Sequence, residues 1–178
     1  MNIIGQVLHS CFSWIVPTAT EEELANADVI LAHEYGDQKN VSSTTAAVAH
    51  NVRELHRKFR KPVIAQFPCN EAISDVPAIV ISKHLRMPGV YLDTDEVQRQ
   101  AAVICGLHGW KKVILCAHWA HAWRAGQNLI HHGLTPIYAD TSSIKFHWDS
   151  PRWAQKSTSL FMAREALAKM LYFRKGLI

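Results

Sequence analysis

The chain has 178 residues, which suits one globular domain, and 48% of them are hydrophobic, which is enough for a single core. The net charge of +4 is mild and the basic residues are scattered, which argues against a nucleic-acid-binding protein with clustered phosphate contacts. Four cysteines with no Cys-x-x-Cys pair favour reduced, structural thiols in a reducing compartment.

The first part of the chain is predicted to be an extension before the main domain. Residues 1–17 lack a basic amino-terminal region and are too short to span a bilayer, so we expect no signal peptide, no membrane insertion and a cytoplasmic location. They suit either a short strand or a helix that covers the sheet. Thr20 and Glu23 form a capping box, which predicts a short helix to about Ala27. We therefore expect one α/β domain over 1–178, with 1–27 as its N-terminal extension.

Five short apolar runs predict the strands of a sheet. Such continuous runs of Val, Ile and Leu are typical of strands buried on both faces of a parallel sheet. The first of them is expected beside the fourth, at a switch point of the topology. The runs lie at about 29–32, 63–67, 90–92, 113–116 and 134–139.

Helical patterns alternate with these strands. The last predicted helix has an apolar stripe that we expect to be buried, formed by Leu160, Ala163, Leu167, Met170 and Leu171. The segment from 141 to 156 lacks a clear period and is predicted to be a long loop. The predicted helices lie at about 44–59, 78–85, 93–108, 119–132 and 157–174, and a further one has Asn70 as its N-cap. This alternation predicts a Rossmann-like three-layer sandwich, with a mainly parallel five-stranded sheet and helices on both faces.

Polar side chains follow the predicted strands at the points where these end. Open α/β sheets bind ligands at the carboxyl ends of their strands, so we expect one pocket there that combines four segments of the chain. The candidate site residues are His33, Glu34, Asn70, Glu71, Asp93, Thr94, His118, His121 and Arg124.

Histidine and arginine near the start of one helix give the clearest chemical hypothesis. His121 and Arg124 are neighbours on one helix face, where imidazole, guanidinium and backbone N–H groups could hold a phosphate or carboxylate. The alternative for Arg124 is a structural ion pair with Glu71 or Asp93. His121 and Glu71 are the candidate acid–base groups, although Glu71 also suits a helix-dipole partner.

A metal site and a nucleophile are weaker hypotheses. A catalytic zinc held by His33, His118 and His121 would need separate loops to converge, and no ligand spacing for zinc is visible in the sequence. No Gly-x-Ser-x-Gly elbow occurs, and Cys116 lies in a predicted core strand. We therefore expect no bound metal and no covalent intermediate.

Several of these motifs resemble the YdcF-like family of uncharacterised Rossmann-like proteins, which includes the SanA and ElyC envelope proteins. The similar features are the strand Val113–Leu115, His121, Arg124–Ala125 and Gly133 before the next strand. Three further similar features are Asn70-Glu71-Ala72, Thr94 with Glu96, and the final helix that ends at Gly176.

The resemblance implies a small-molecule site at the strand ends. For the family, an adenosyl compound such as S-adenosylmethionine, or a nucleotide, is suggested as ligand. The expected function is therefore the binding of an anionic small molecule of this kind. Two alternatives stay open: a small hydrolase or transferase that acts on a phosphorylated or envelope-precursor substrate, and a non-catalytic scaffold.

Overall fold

A computed structural model of the chain describes residues 16–34, 41–146 and 157–177. The expectations for 1–15, for Tyr35 and Gly36, and for the part of the long loop from 147 to 156 lie outside these residues. The strands are β1 (Val29–Ala32), β2 (Val63–Gln66), β3 (Ala78–Ile81), β4 (Lys112–Cys116) and β5 (Thr135–Tyr138). The helices are α1 (Glu21–Ala25), α2 (Ser43–Phe59), α3 (Cys69–Ala72), α4 (Thr94–His108), α5 (Trp119–His131) and α6 (Thr158–Arg174).

All five strands are parallel and form one sheet in the order β3-β2-β1-β4-β5. The chain builds the sheet outward from β1 to β3 and then crosses to the other side of β1, so β1 and β4 flank the switch point. In register, Ile30 lies opposite Val63 on one side and Ile114 on the other. The predicted pairing of 29–32 with 113–116 is confirmed.

Each face of the sheet carries its own apolar core. Ile30 and Ala32 pack with Val48 and Val52 of α2, whereas Leu31 packs on the opposite face with Val97 of α4 and other side chains of α4 and α5. This two-sided burial explains why β1, β2 and β4 consist of nearly continuous apolar runs. The predicted three-layer α/β sandwich is therefore confirmed. No helix among the described residues has the length and apolar character needed to cross a membrane.

The third strand is not the one that the sequence predicts. It is β3, Ala78–Ile81, where we expected a helix, and residues 90–92 form no strand. Ile79, Val80 and Ile81 are three β-branched residues in succession, which favour an extended backbone. β3 is an edge strand, so Ile79 and Val80 are more than a third exposed, and the run lacks the full burial of a central strand.

The expected buried stripe of α6 is also wrong. Leu160, Leu167, Met170 and Leu171 are all more than 40% exposed, and Ala163 is exposed as well. The buried residues of this helix are instead Phe161, Glu165 and Lys169. Glu165 is buried because it pairs with an arginine of α5, and the ammonium of Lys169 lies 4.5 Å from the centre of the Trp123 ring. A hydropathy pattern assigns both charged residues to solvent.

The other helix ends carry residue types that favour capping. The Thr20–Glu23 capping box is present, Ser42 caps α2, and Gly109 ends α4 in the left-handed region. Asn70, however, is not an N-cap, because α3 begins at Cys69 and its N-cap Pro68 makes no side-chain hydrogen bond. In α5, the helical spacing of Ala122, Gly126, Leu129 and Ile130 predicts one buried face. The first three are buried, but Ile130 is 52% exposed, so the prediction is wrong for this residue.

Candidate functional site

A polar cleft of about 270 Å³ opens at the carboxyl edge of the sheet. Depressions of about 580 and 480 Å³ lie elsewhere, one between α1 and α2 and one beside β5, but no predicted site residue lines either of them. We place the site in the smaller cleft because buried titratable groups converge there. Its lining residues are His33, Glu34, Gln66, Tyr91, Leu92, Asp93, Thr94, His121, Arg124, Phe161, Arg164, Ala168 and Tyr172.

The cleft brings together six of the nine predicted residues, namely His33, Glu34, Asp93, Thr94, His121 and Arg124. Asn70 and Glu71 lie on α3 outside the cleft lining, and Glu71 is exposed. His118 is the N-cap of α5, where its Nδ1 accepts a hydrogen bond from Ala120 N–H at 3.2 Å. The ring of His118 packs against the ring of Phe146, with 4.4 Å between their centres, and His118 does not line the cleft.

The end of β1 is fixed to both neighbouring strands. His33 N–H donates to the carbonyl of Cys116 in β4 at 2.9 Å, and Glu34 N–H donates to Oε1 of Gln66 in β2 at 3.1 Å. The first bond continues the backbone pairing with β4 beyond the end of β1, and the second is made to a side chain of β2. Together they hold two polar residues at the switch point. His33 and Glu34 are about 95% buried there.

The start of α4 is held by a separate ionic network. Asp93 caps the helix by accepting from Glu96 N–H at 2.9 Å, which places Thr94 in the first turn beside the cleft. Glu96 does not line the cleft and is bound by both Arg99 and Arg86. Hydrogen bonds from Arg99, aided by those from other donors, hold the pKa of Glu96 well below its ordinary value despite its burial. Glu96 therefore supports the site without facing it.

Arg124 pairs with Glu165 of α6, and not with Glu71 or Asp93 as the structural alternative supposed. Its Nε donates to Oε1 at 2.6 Å and its Nη2 to Oε2 at 2.9 Å, and both side chains are almost fully buried. Burial alone would raise the pKa of Glu165, but Arg124 and His121 outweigh it and lower this pKa to about 2. The positive charge of Arg124 is therefore already neutralised within the protein.

Little donor capacity is left on Arg124 for a ligand. Besides the two bonds to Glu165, Nη1 donates to Thr94 Oγ1 at 2.9 Å and Nη2 donates to His121 Nδ1 at 3.1 Å. The guanidinium also lies 4.8 Å from the centre of the Tyr172 ring. Since a guanidinium has five N–H groups, one on Nη1 remains for a ligand. Arg124 as a ligand residue stays a prediction, limited to this single donor.

The two histidines of the cleft are held in their neutral forms. Burial and then the charge of Arg124 lower the pKa of His121. Burial and then His121 lower the pKa of His33 well below its ordinary value. The ring centres lie 4.8 Å apart. Neutral imidazoles offer one donor and one acceptor each, which suits hydrogen bonding to a ligand and also acid–base chemistry.

A catalytic zinc is not supported by this arrangement. Among the residues that the structure describes, no group of three or more His, Cys, Asp or Glu side chains could hold a metal ion. His118 does not join His33 and His121, so the ligand set considered above is not assembled. Burial raises the pKa of Cys116 to about 12, which leaves its thiol unreactive as a nucleophile.

Four residues that matter to the cleft are absent from the sequence-based set. Gln66 ends β2, and α6 contributes Arg164 and Tyr172 to the lining and Glu165 behind Arg124. The four-residue spacing of Phe161, Glu165 and Lys169 is the one available signal, because it places two charges on the same helix face as a buried aromatic residue.

Comparisons of the chain with protein-family models, with curated proteins and with solved structures found no match.

Proposed function

We propose that this chain binds a small molecule of nucleoside size in the carboxyl-edge cleft, with an adenosyl compound such as S-adenosylmethionine as the first candidate and a nucleotide as the second. The observation that carries the proposal is the convergence of buried polar groups from β1, β2, α4, α5 and α6 on one cleft. The resemblance of several motifs to the YdcF-like family supports the same ligand class.

The charges around the cleft favour a ligand of balanced charge. Glu165 neutralises Arg124, and the other ionisable acidic and basic side chains that line the cleft are those of Arg164, Glu34 and Asp93. Arg164 makes no ion pair within the described part of the chain, so it is the natural partner of a carboxylate or a single phosphate. The two carboxylates can accept hydrogen bonds from hydroxyl or amino groups. A triphosphate would meet more negative than positive charge here.

The size and the aromatic lining of the cleft agree with this ligand class. The cleft of about 270 Å³ lies just below the roughly 300–1,000 Å³ that is common for ligand pockets, so its size favours a small ligand over a dinucleotide. Tyr91, which is 46% exposed, supplies a ring surface at its wall on which a planar base can stack.

A hydrolase or transferase is the second candidate function, and the neutral histidines are the observation that favours it. His33 or His121 could transfer a proton at a phosphorylated substrate, since both rings line the cleft. Glu71, the other acid–base candidate, is exposed on α3 and does not reach the cleft lining.

Binding is tested by calorimetry and by thermal shift with S-adenosylmethionine, S-adenosylhomocysteine, AMP, ATP and sugar phosphates, each with and without Mg²⁺. We expect the adenosyl compounds to bind, and Arg164→Ala to weaken their binding about tenfold, because one charge-assisted hydrogen bond is lost. Arg174→Ala, a change at an exposed arginine of the same helix that does not line the cleft, is the matched control and should bind as the original chain does. A thermal shift that requires Mg²⁺ would favour the hydrolase, and equal binding by Arg164→Ala would contradict the assigned anchor.

A further inference from the structure

The two cleft histidines have opposite hydrogen-bonding polarity, and their fixed partners determine it. His33 Nδ1 lies 3.0 Å from the backbone carbonyl of Glu34. A carbonyl oxygen can only accept, so Nδ1 of the neutral ring carries the proton and Nε2 carries the lone pair. His33 therefore offers an acceptor.

His121 is fixed in the other tautomer. Its Nδ1 lies 3.1 Å from Nη2 of Arg124, and a guanidinium can only donate, whereas the carboxylate oxygen Oε2 of Glu165 is 3.7 Å from Nδ1, beyond hydrogen-bond distance. The Nδ1 atom therefore accepts, and Nε2 carries the proton. That Nε2–H lies 3.5 Å from Thr94 Oγ1, a long contact that leaves the donor available for a better acceptor. His121 thus offers a donor.

The acceptor of His33 is buried and has no partner. Its Nε2 makes no hydrogen bond within the described residues, although the residue is 96% buried and lines the cleft. Buried polar atoms of native proteins are paired in the large majority of cases, so such an atom at the wall of a cleft indicates a group that arrives with the ligand.

We infer that His33 and His121 together bind one hydroxyl group of the ligand, which donates to Nε2 of His33 and accepts from the Nε2–H of His121. A hydroxyl is a common group that donates and accepts through a single atom. An ammonium group could donate to His33, but it has no acceptor for the Nε2–H of His121.

This inference rests on the proposed function and specifies the ligand further. An adenosyl compound carries two ribose hydroxyls, and one of them would lie between the histidines. Asp93, which also lines the cleft, can accept a hydrogen bond from the other hydroxyl or from an amino group. Compounds of similar size and charge that lack a hydroxyl are expected to be rejected.

The tautomers are tested first, in the ligand-free protein, by nitrogen NMR of the histidine side chains at pH 7. We expect His33 to carry its proton on Nδ1 and His121 on Nε2. His33→Phe and His121→Phe identify the two signals, and His108→Phe is the matched control because His108 is exposed at the far end of α4. A protonated Nε2 on His33 would overturn the inference, whatever the protein binds.

The hydroxyl is tested with S-adenosylhomocysteine and its 2′-deoxy and 3′-deoxy analogues. Removal of one of the two hydroxyls should weaken binding to the original chain and to His108→Phe about tenfold or more, and should change binding to His33→Phe little. Equal binding of all three compounds to the original chain would overturn the inference. The same holds if His33→Phe discriminates between them as the original chain does.

Failure of the adenosyl ligand alone has a different signature. If S-adenosylhomocysteine does not bind, ribose 5-phosphate and glycerol 3-phosphate are titrated at millimolar concentration while the two Nε2 signals are followed. Movement of both signals would retain the hydroxyl site and reject the adenosyl proposal. No movement of either signal with any of these hydroxylated probes would overturn the inference.

Discussion

Removal of Arg124 should destabilise the protein even when no ligand is present. Arg124→Met leaves the carboxylate of Glu165 buried without its counter-ion, and breaking such a buried pair costs about 3–5 kcal/mol. The upper part of this range applies if Glu165 stays ionised, since its side chain is fully buried. For a chain of this length, about 2–4 °C of melting temperature correspond to each kcal/mol, so we expect a drop of about 6–20 °C.

The double variant Arg124→Met/Glu165→Met separates the ion pair from general damage. Replacing both members of a buried pair by apolar side chains is often neutral or stabilising, so the double variant should recover most of the lost stability. The assay is urea denaturation at pH 7, followed by tryptophan fluorescence and circular dichroism, with Arg174→Met as the exposed control.

The pH dependence of the single variant gives a second check. Because the folded pKa of Glu165 is lowered to about 2 from an ordinary 4.5, its contribution is full above about pH 4.5 and is lost as the pH falls below that value. The defect of Arg124→Met should therefore shrink on acidification, when Glu165 protonates. An unchanged ligand-free melt in Arg124→Met, or a double variant as unstable as the single one, would refute the reasoning.

Three further changes test the surroundings of the cleft. The lowered pKa of His33 means that its contribution to stability is full above about pH 6.5 and is lost as the pH falls, so His33→Phe should show a flatter loss of stability between pH 6.5 and 5, measured by urea titration. Glu96→Gln should lower the free energy of unfolding by about 1–3 kcal/mol, because buried charge-assisted hydrogen bonds are lost. The exposed control Glu54→Gln should change it by less than about 0.5 kcal/mol, and equal effects of the two changes would contradict the role of the Glu96 network. Phe161→Ala should cost about 3–5 kcal/mol and Leu167→Gln less than about 0.5 kcal/mol, and the reverse order in thermal melts would mean that α6 packs by its apolar stripe.

The sequence predicts the architecture well where one physical signal dominates. β1 and β4 are continuous apolar runs because both faces of the sheet are covered, and Thr20, Ser42 and Asp93 cap helices because their side chains accept hydrogen bonds from orphan N–H groups. The carboxyl-edge location of the cleft follows from the parallel topology alone.

The sequence-based prediction fails where contacts with residues distant in the chain determine the local structure. Ile79 and Val80 lie in an edge strand, although residues 78–85 were predicted to form a helix. Glu165 is buried only because Arg124 lies opposite to it, and this partner is 41 residues away in sequence. The same pairing reverses the expected orientation of α6 and brings Arg164 and Tyr172 into the cleft. No local pattern contains that information.

The tautomers of His33 and His121 lie further beyond sequence reasoning. They depend on whether a carbonyl or a guanidinium faces each Nδ1 atom, which requires the relative positions of β1 and α5. The sequence identifies both residues as site candidates, but it cannot assign one as an acceptor and the other as a donor.

Amide NMR mapping of S-adenosylhomocysteine binding tests most directly whether the carboxyl-edge cleft binds an adenosyl compound. We expect titration to shift the backbone signals of Glu34, Asp93, Thr94 and Arg164, which lie around the cleft on three different elements. The signals of Leu55 and Phe59, in the larger depression between α1 and α2, should not shift. Shifts confined to Leu55 and Phe59, or none at millimolar ligand, would contradict the claim that the carboxyl-edge cleft is an adenosyl-binding site.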